Sequence, residues 1–192
     1  MKIISVILIF FFYSSNLYSQ IKTAVFAGGC FWCMEEAFEA VEGVNKVVSG
    51  YTGGKTKNPN YKEVTTQNTG HYEAVLISYD PKKISYANLL DIFWKNVDPY
   101  DDEGQFCDKG PSYLSAIFYS NDEEKTLIDD SIKRLTNINT KLIVTKILKL
   151  DVFYLAEGYH QDYYKKNPIR YNYYKYSCGR EKRINQIKLN LK

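Results

Sequence analysis

Strands and helices alternate along this chain in an order that few folds can accommodate. Apolar residues alternate or cluster as they do in β-strands over the ranges 21–27, 44–51, 71–79, 115–119 and 141–148. Helical spacing, with Ser85 and Asn121 as caps, predicts helices over 31–41, 85–94 and 121–137. This order contains a split β-α-β-β-α-β unit. It predicts an α+β fold, a two-layer sandwich with a ferredoxin-like core and a mixed or antiparallel sheet that carries helices on one face.

Two polar segments lack a regular period. Residues 55–70 and 98–112 are therefore predicted to be long irregular loops, which are uncommon in compact domains unless they have a function. A short helix is expected over 157–166, followed by an irregular, tyrosine-rich tail from residue 170 onward. Because no linker or repeat interrupts the chain, residues 20–192 are predicted to form a single domain.

The first nineteen residues have the composition of a secretory signal peptide. Lys2 gives a basic start, residues 3–13 are apolar, and small and polar residues follow. The apolar run is shorter than the roughly 20 residues that span a bilayer. We therefore expect residues 1–19 to be removed, leaving a mature bacterial protein that is periplasmic or secreted and has no stable membrane association. An uncleaved anchor or a buried N-terminal strand is the alternative.

Composition narrows the classes of function. Hydrophobic residues make up 45% of the chain and charged residues 24%, as in soluble globular proteins and unlike disordered ones. The net charge is only +3 and the charged residues are interspersed, so no nucleic-acid partner is predicted.

The chain has four cysteines. An even number of cysteines in an exported chain often means structural disulfides, but these four are unevenly spaced, at positions 30, 33, 107 and 178.

The segment Gly28-Gly29-Cys30-Phe31-Trp32-Cys33 lies where the first strand meets the first helix. Unpaired N–H groups and the helix dipole at such a junction favour negative charge, so Cys30 is expected to have a lowered pKa. The two glycines allow a sharp turn, and the two aromatic residues offer an apolar wall beside the sulfur. The alternative interpretation is structural, with Cys30 as a small buried hydrophobe and both aromatic side chains in the core.

The spacing of Cys30 and Cys33 allows two further interpretations. One is a thiol–disulfide oxidoreductase that uses these two cysteines as a dithiol. The other is a zinc site, which is disfavoured because the remaining candidate ligands are scattered along the chain, at Cys107, Cys178, His71 and His160. A third possibility, from another class, is a binding domain without catalysis that is stapled by disulfides and uses exposed tyrosines.

A collinear series of motifs resembles the A-type peptide methionine sulfoxide reductases. The first part comprises Gly29-Cys30-Phe31-Trp32, Gly50-Tyr51-Thr52-Gly53-Gly54, Asn58-Pro59-x-Tyr61 and Gly70-His71-Tyr72-Glu73-Ala74. The second part comprises Gly104-Gln105-Phe106-Cys107-Asp108-x-Gly110, Tyr113-x-Ser115-Ala116 and Ala156-Glu157-x-Tyr159-His160-Gln161. The resemblance extends from residue 22 to about 180.

This resemblance implies an enzyme that reduces the S epimer of methionine sulfoxide, free or in proteins, without a metal or cofactor. Cys30 would attack the sulfoxide sulfur and become a sulfenic acid. Glu73 would be the acid, since an apolar setting raises the pKa of a carboxyl and keeps its proton available. The resemblance further assigns supporting polar groups to Tyr61, Tyr113 and Asp108, and the pocket for the S-methyl group to Phe31 and Trp32.

The same resemblance implies that a second thiol resolves the sulfenic acid by forming an intramolecular disulfide. Cys178, in the C-terminal segment, matches the position that family members use, while Cys33 and Cys107 remain alternatives. A thioredoxin-like partner would then reduce the disulfide. The protein is expected to act as a monomer.

Overall fold

The computed structural model describes residues 20–138 and 140–190. Its strands are β1 (Lys22–Gly28), β2 (Val44–Thr52), β3 (Tyr72–Tyr79), β4 (Gly104–Gln105), β5 (Asp108–Lys109), β6 (Ser115–Tyr119), β7 (Lys146–Lys149) and β8 (Phe153–Leu155). Its α-helices are α1 (Phe31–Glu39), α2 (Tyr61–Thr65), α3 (Tyr86–Lys95), α4 (Asp122–Ile138), α5 (Tyr163–Lys166), α6 (Pro168–Ser177) and α7 (Arg180–Asn190).

Six strands form one mixed sheet in the order β7-β6-β1-β3-β2-β8. Every neighbouring pair is antiparallel except β6 and β7, which run parallel. The four central strands, with α1 and α3 as the connecting helices, form the predicted split β-α-β-β-α-β unit. The predicted α+β class and its mixed sheet are therefore confirmed.

The main core lies between this sheet and helices α1 and α3. Phe26 of β1 is fully buried, and its ring lies 5.4 Å from the ring of Phe38 in α1 and 5.2 Å from that of Phe93 in α3. Burial of each such aromatic side chain stabilises the fold by about 1.5–3 kcal/mol relative to exposure. Packing on both helices thus holds α1, whose N-cap residue is Cys30, against the sheet.

The two segments predicted to be irregular loops contain short regular elements. Residues 61–65 form α2, which starts in a capping box where the Asn60 side chain accepts from the N–H of Glu63 and the Glu63 side chain accepts from the N–H of Asn60. The second segment contains the β4–β5 hairpin and a 3₁₀ turn at Pro111–Tyr113. Elements this short depend on local hydrogen bonds and leave no apolar period in the sequence.

The prediction of an irregular tail from residue 170 is wrong, because α6 and α7 occupy this segment. Pro168 at the start of α6 suits a first helical turn. Tyr171 and Tyr174 are three residues apart and face the domain, at a spacing typical of a helix. Tyrosines on the exposed side of α6 hide this pattern. The short helix predicted over 157–166 is confined to Tyr163–Lys166.

The predicted signal peptide, residues 1–19, lies outside the described residues. Over the ranges 20–138 and 140–190, the structure contains no helix that combines the length and the apolar character needed to cross a membrane.

Candidate active site

Cys30 lies at the turn from β1 into α1 and is the N-cap residue of that helix. Its carbonyl accepts hydrogen bonds from the N–H groups of Cys33 at 3.1 Å and Met34 at 3.4 Å. Gly29 has a φ of +78°, and a Cβ there would lie 2.6 Å from the Cβ of Gln105. Only glycine therefore fits the turn without strain, and the turn holds the Cys30 sulfur at one place.

A cavity of about 80 Å³ opens at Cys30. Its walls come from α1, α2, β3, the β4–β5 hairpin, the 3₁₀ turn and α6, and its lining residues are Cys30, Phe31, Trp32, Tyr61, Glu73, Asp108, Tyr113 and Tyr174. Every residue predicted for the site except Cys178 lines this cavity. The arrangement combines one sulfur, several proton donors and two aromatic walls.

Glu73 is the second residue of β3 and is only 2% exposed. Burial raises the pKa of its carboxyl to about 8, although the N–H of Phe31 donates to Oε2 at 3.1 Å and opposes this rise. The carboxyl is therefore largely protonated at neutral pH. The direction of the shift is the one that the sequence predicts, and it lets Glu73 donate a proton into the cavity.

Two tyrosine hydroxyls accompany Glu73. Tyr61 begins α2, where its N–H donates to Oε1 of Glu157 at 2.8 Å, and Tyr113 ends the 3₁₀ turn. Burial raises the pKa of Tyr61 to about 12 and raises that of Tyr113 further, so both hydroxyls keep their protons. Tyr113 is also hydrogen-bonded to the Glu73 carboxyl. An oxygen bound in the cavity would therefore meet three neutral donors.

Tyr174 is a cavity residue that the sequence analysis did not identify. It lies on α6, and its hydroxyl donates to Oδ2 of Asp108. Burial raises the pKa of the Asp108 carboxyl. The sequence contains one indication of this role, the spacing of three residues between Tyr174 and the buried Tyr171 on the same helix.

His160, which the sequence offered only as part of a motif and as a disfavoured zinc ligand, supports the aromatic wall of the cavity. Its Nδ1 accepts a hydrogen bond of 3.2 Å from Nε1 of Trp32, and burial lowers its pKa, so the imidazole is neutral. The Trp32 ring also stacks on the ring of Tyr163, with centroids 3.8 Å apart. The Trp32 ring is thus held between two partners, which fixes the aromatic wall of the cavity.

Cys30 and Cys33 are both unpaired and nearly inaccessible, with 5% and 4% of their surfaces exposed. Burial raises the pKa of Cys30, so the expected lowering by the helix N-terminus is wrong at this position. Cys30 instead donates a hydrogen bond to Cys33. This bond lowers the pKa of Cys33 to about 6, and the positive charge of Arg180 adds to the effect. The negative charge of the pair is therefore on Cys33.

Cys178 forms a disulfide with Cys107 and does not line the cavity. Its assignment as the resolving thiol stays a prediction. The described residues hold two groups of side chains close enough to bind a metal ion. Both sulfurs of the first group are in this disulfide, and Lys165 already pairs with two carboxylates of the second, Glu39 and Asp162.

Comparison with known proteins identifies close relatives. The sequence matches the family described as "Peptide methionine sulfoxide reductase" over residues 22–191. It is 49% identical over 166 residues to Peptide methionine sulfoxide reductase MsrA 2 of Caulobacter vibrioides, covering 86% of this chain and 85% of the relative. It is 53% identical over 161 residues to Peptide methionine sulfoxide reductase MsrA of Bacillus subtilis, covering 83% of this chain and 91% of the relative.

Solved structures agree with the sequence comparison. Mxr1 from Saccharomyces cerevisiae in its reduced form matches with a TM-score of 0.74 and 30% identity, covering 79% of this chain and 88% of Mxr1. The same yeast protein in complex with Trx2 matches with a TM-score of 0.54 and 20% identity, covering 76% of this chain and 86% of that one. The second likeness shows the fold alone.

Proposed function

The chain belongs to the peptide methionine sulfoxide reductase family and reduces methionine sulfoxide, and on this premise we propose that it acts on the S epimer with Cys30 as nucleophile and Cys33 as resolving thiol. The observation that carries the proposal is the cavity in which Cys30 lies together with Glu73 and the hydroxyls of Tyr61 and Tyr113. Free methionine sulfoxide and oxidised side chains of proteins are the substrates.

In the first step the Cys30 sulfur attacks the sulfoxide sulfur. Cys33, which accepts a hydrogen bond from Cys30, takes up the thiol proton as the new S–S contact forms. Negative charge develops on the sulfoxide oxygen, and Glu73 protonates this oxygen while Tyr61 and Tyr113 donate hydrogen bonds to it. The hydroxyl then passes to Cys30, which becomes a sulfenic acid, and methionine leaves.

The walls of the cavity orient the substrate. Phe31 and Trp32 offer apolar surface for the S-methyl group, and the polar donors lie on the other walls. A sulfoxide sulfur is chiral, so a pocket with the methyl site and the oxygen site fixed accepts one epimer in the geometry for attack. Asp108, bound to the Tyr174 hydroxyl, completes the polar side.

In the second step Cys33 attacks the sulfenic acid. Its sulfur is already hydrogen-bonded to that of Cys30, so the two reacting side chains are neighbours before the reaction begins. The products are a Cys30–Cys33 disulfide and water. This step assigns to Cys33 the role that the sequence resemblance gave to Cys178, because Cys178 is paired with Cys107 and lies outside the cavity.

Two rival functions explain less of the site. A thiol–disulfide oxidoreductase needs only the two sulfurs and leaves Glu73 and the two tyrosine hydroxyls around Cys30 without a purpose. A disulfide-stapled binding domain predicts that all cysteines are paired, whereas Cys30 and Cys33 are free.

The cellular setting completes the proposal. Residues 1–19 act as a signal peptide, and the mature, monomeric chain acts outside the cytoplasm. A thioredoxin-like dithiol protein regenerates the enzyme, a partner supported by the complex of the yeast relative Mxr1 with Trx2. Signal cleavage is tested by N-terminal sequencing of the protein recovered from the exported fraction.

Peptides carrying separated S and R methionine sulfoxide test the reaction directly. With dithiothreitol as reductant, the mature protein should reduce only the S peptide, and Cys30→Ser should abolish the activity while leaving the circular dichroism spectrum unchanged. Reduction of the R peptide, or full activity in Cys30→Ser, would contradict the proposal. Release of thiols from a disulfide substrate without any sulfoxide reduction would favour the oxidoreductase alternative.

A further inference from the structure

Arg180 is a buried cation to which the mechanism above gives no role. It begins α7 and is only 4% exposed. Its guanidinium donates to neutral acceptors, which are the carbonyls of Gly28 at 3.3 Å and Asn96 at 2.6 Å and the sulfur of Met34 at 3.2 Å. Over residues 20–138 and 140–190 no carboxylate forms an ion pair with it. Because a buried charge is costly unless an anion accompanies it, this arrangement needs an explanation.

The contacts of Arg180 join the C-terminal part of the chain to the turn that carries the nucleophile. Gly28 is the last residue of β1 and lies two residues before Cys30, the N-cap of α1. Asn96 is the C-cap residue of α3. The guanidinium carbon also lies 4.5 Å from the centre of the Phe106 ring, between β4 and β5. The cation is therefore held in one place by four different parts of the fold.

A second cavity, of about 440 Å³, brings Arg180 and Cys33 together. Its walls come from α1, from the end of α3, from α6 and from α7. In the described part of the chain, no residue lines both this cavity and the one that contains Cys30. The hydrogen bond from Cys30 to Cys33 is thus a link between the site of sulfoxide reduction and the surroundings of Arg180.

The charge of Arg180 acts on the Cys33 sulfur. The hydrogen bond from Cys30 is the largest cause of the lowered pKa of Cys33, and burial opposes it. The positive charge of Arg180 is the next cause that lowers this pKa, ahead of the Tyr171 hydroxyl and the charge of Lys175. Charge and thiolate therefore stabilise each other inside the protein.

The other charged groups around the second cavity are paired or exposed. Lys175 forms an ion pair with Glu36, which also accepts a hydrogen bond of 2.7 Å from the Tyr171 hydroxyl. Lys95 and Glu181 are exposed, so water weakens their effect on a buried sulfur. None of these groups replaces Arg180 as the buried cation beside Cys33.

On the active-site side the neighbouring titratable groups are Glu73, Tyr174 and Asp108. The Glu73 carboxyl is largely protonated, and burial raises the pKa of the Tyr174 hydroxyl and keeps it neutral. Burial also raises the pKa of Asp108, although a hydrogen bond from Tyr174 and the charge of Arg180 oppose this rise. The Cys33 thiolate is thus the anion that best accounts for an unpaired guanidinium at this position.

From these observations we propose that Arg180 is a positioning residue that keeps Cys33 in its anionic form, an inference that rests on the proposed function. In the first step this anion receives the proton of Cys30. Cys33 must lose the proton again before it attacks the sulfenic acid, and the proton then leaves with the sulfenic hydroxyl as water. Arg180 favours the anion at both points, while its hydrogen bond to Gly28 holds the turn before Cys30.

A purely structural role for Arg180 makes a different prediction. If the guanidinium only attached α7 to the turn, its hydrogen-bond donors would matter and its charge would not. Arg180→Gln keeps amide donors and removes the charge, whereas Arg180→Lys keeps the charge and loses the planar group with its several donors. The two variants therefore separate the two roles.

The ultraviolet absorbance of thiolates, recorded against pH, tests the proposal. Protein with the Cys107–Cys178 disulfide formed and with Cys30 and Cys33 reduced is titrated in the absence of substrate. The parent should show a step at about pH 6 that is missing in Cys33→Ser. Because an adjacent opposite charge lowers a pKa by about 1–3 pH units, Arg180→Gln should move the step upward by that amount, and Arg180→Lys should leave it near the parent value. The acidic limb of the single-turnover rate should move with the step.

Arg183→Gln is the matched control. Arg183 also lies on α7, but its side chain is 42% exposed and pairs with Asp98 at 2.6 Å, so its loss should leave the step in place. An unchanged step in Arg180→Gln, or equal upward shifts in Arg180→Gln and Arg180→Lys, would overturn the proposal. If the glutamine variant failed to fold, a large upward shift in Arg180→Lys would overturn it as well. A parent that titrates as expected and forms no methionine would contradict the proposed function alone.

Discussion

At the scale of single residues, Glu73 shows how burial makes a carboxyl useful as an acid. A glutamate in water is ionised at neutral pH, but Glu73 lies inside the sheet and its pKa rises to about 8. The Phe31 N–H holds one oxygen of the carboxyl at 3.1 Å and so fixes its direction. Burial disfavours the ionised form of the Glu73 carboxyl, and the hydrogen bond from Phe31 orients it. Together they place an oriented proton donor beside Cys30.

Replacing this carboxyl by an amide should remove the proton donor and keep the shape. We expect Glu73→Gln to lower the single-turnover rate of sulfoxide reduction by about 10²- to 10⁴-fold, the usual contribution of a general acid. Glu35→Gln is the matched control, because Glu35 is equally buried, at 1% exposure, and does not line the cavity. Equal loss of activity in both variants would indicate a packing effect and contradict the assignment.

The pH dependence should have two limbs with opposite causes. Below about pH 6 Cys33 is protonated and cannot accept the Cys30 proton, and above about pH 8 Glu73 is ionised and cannot donate. Single-turnover rates should therefore fall on both sides of a maximum near neutral pH. Glu73→Gln should lose the alkaline limb and keep the acidic one. An alkaline limb that persists in this variant would exclude Glu73 as its source.

Sequence reasoning located the residues that carry recognisable motifs and missed those that depend on distant contacts. Cys30, Glu73 and Tyr61 were predicted from the motifs, and all three line the cavity. Tyr174 was missed because its partner is Asp108, and no local pattern joins two residues so far apart in the chain. The pKa of Cys30 was predicted in the wrong direction because a local helix-end argument does not include burial.

At the scale of elements, the junction of β1 and α1 determines where the nucleophile lies. Gly29→Ala would place a side chain at a φ of +78° and a Cβ 2.6 Å from Gln105. We expect a loss of about 1–3 kcal/mol in the free energy of unfolding, measured by urea denaturation. Gly158→Ala, where a Cβ meets nothing within 4 Å, is the control and should change stability by less than about 0.5 kcal/mol. Equal effects in both variants would contradict this explanation.

Regular elements with a buried apolar face were predictable, and elements that pack through tyrosine were not. The strand at 115–119 and the helix capped by Ser85 occur where the sequence predicts them. Helix α6 was missed because its buried Tyr171 is surrounded by exposed tyrosines such as Tyr173 and Tyr176, so the residue type does not reveal which side faces inward. The helical conformation of α6 is stabilised by packing against α1, and not by an apolar stripe that the sequence would reveal.

At the scale of the whole molecule, the sheet brings chemistry from remote parts of the chain to one place. The cavity is lined by residues from positions 30 to 174, which come from the sheet, from the helices and from the segments that connect them. The predicted split unit positions Cys30 and Glu73, while the segments between its strands supply Tyr61, Asp108 and Tyr113. This explains why a fold prediction alone locates part of the site and not all of it.

The measurement that tests the mechanism most directly is the location of the oxidised cysteine after one turnover. Protein in which Cys107 and Cys178 form a disulfide and Cys30 and Cys33 are reduced is mixed with one equivalent of S-sulfoxide peptide and mapped without added reductant. We expect a Cys30–Cys33 disulfide in the parent and, in Cys33→Ser, a Cys30 sulfenic acid that reacts with dimedone. A Cys30–Cys178 disulfide as the first product, or a Cys30 that stays reduced while methionine forms, would contradict the mechanism.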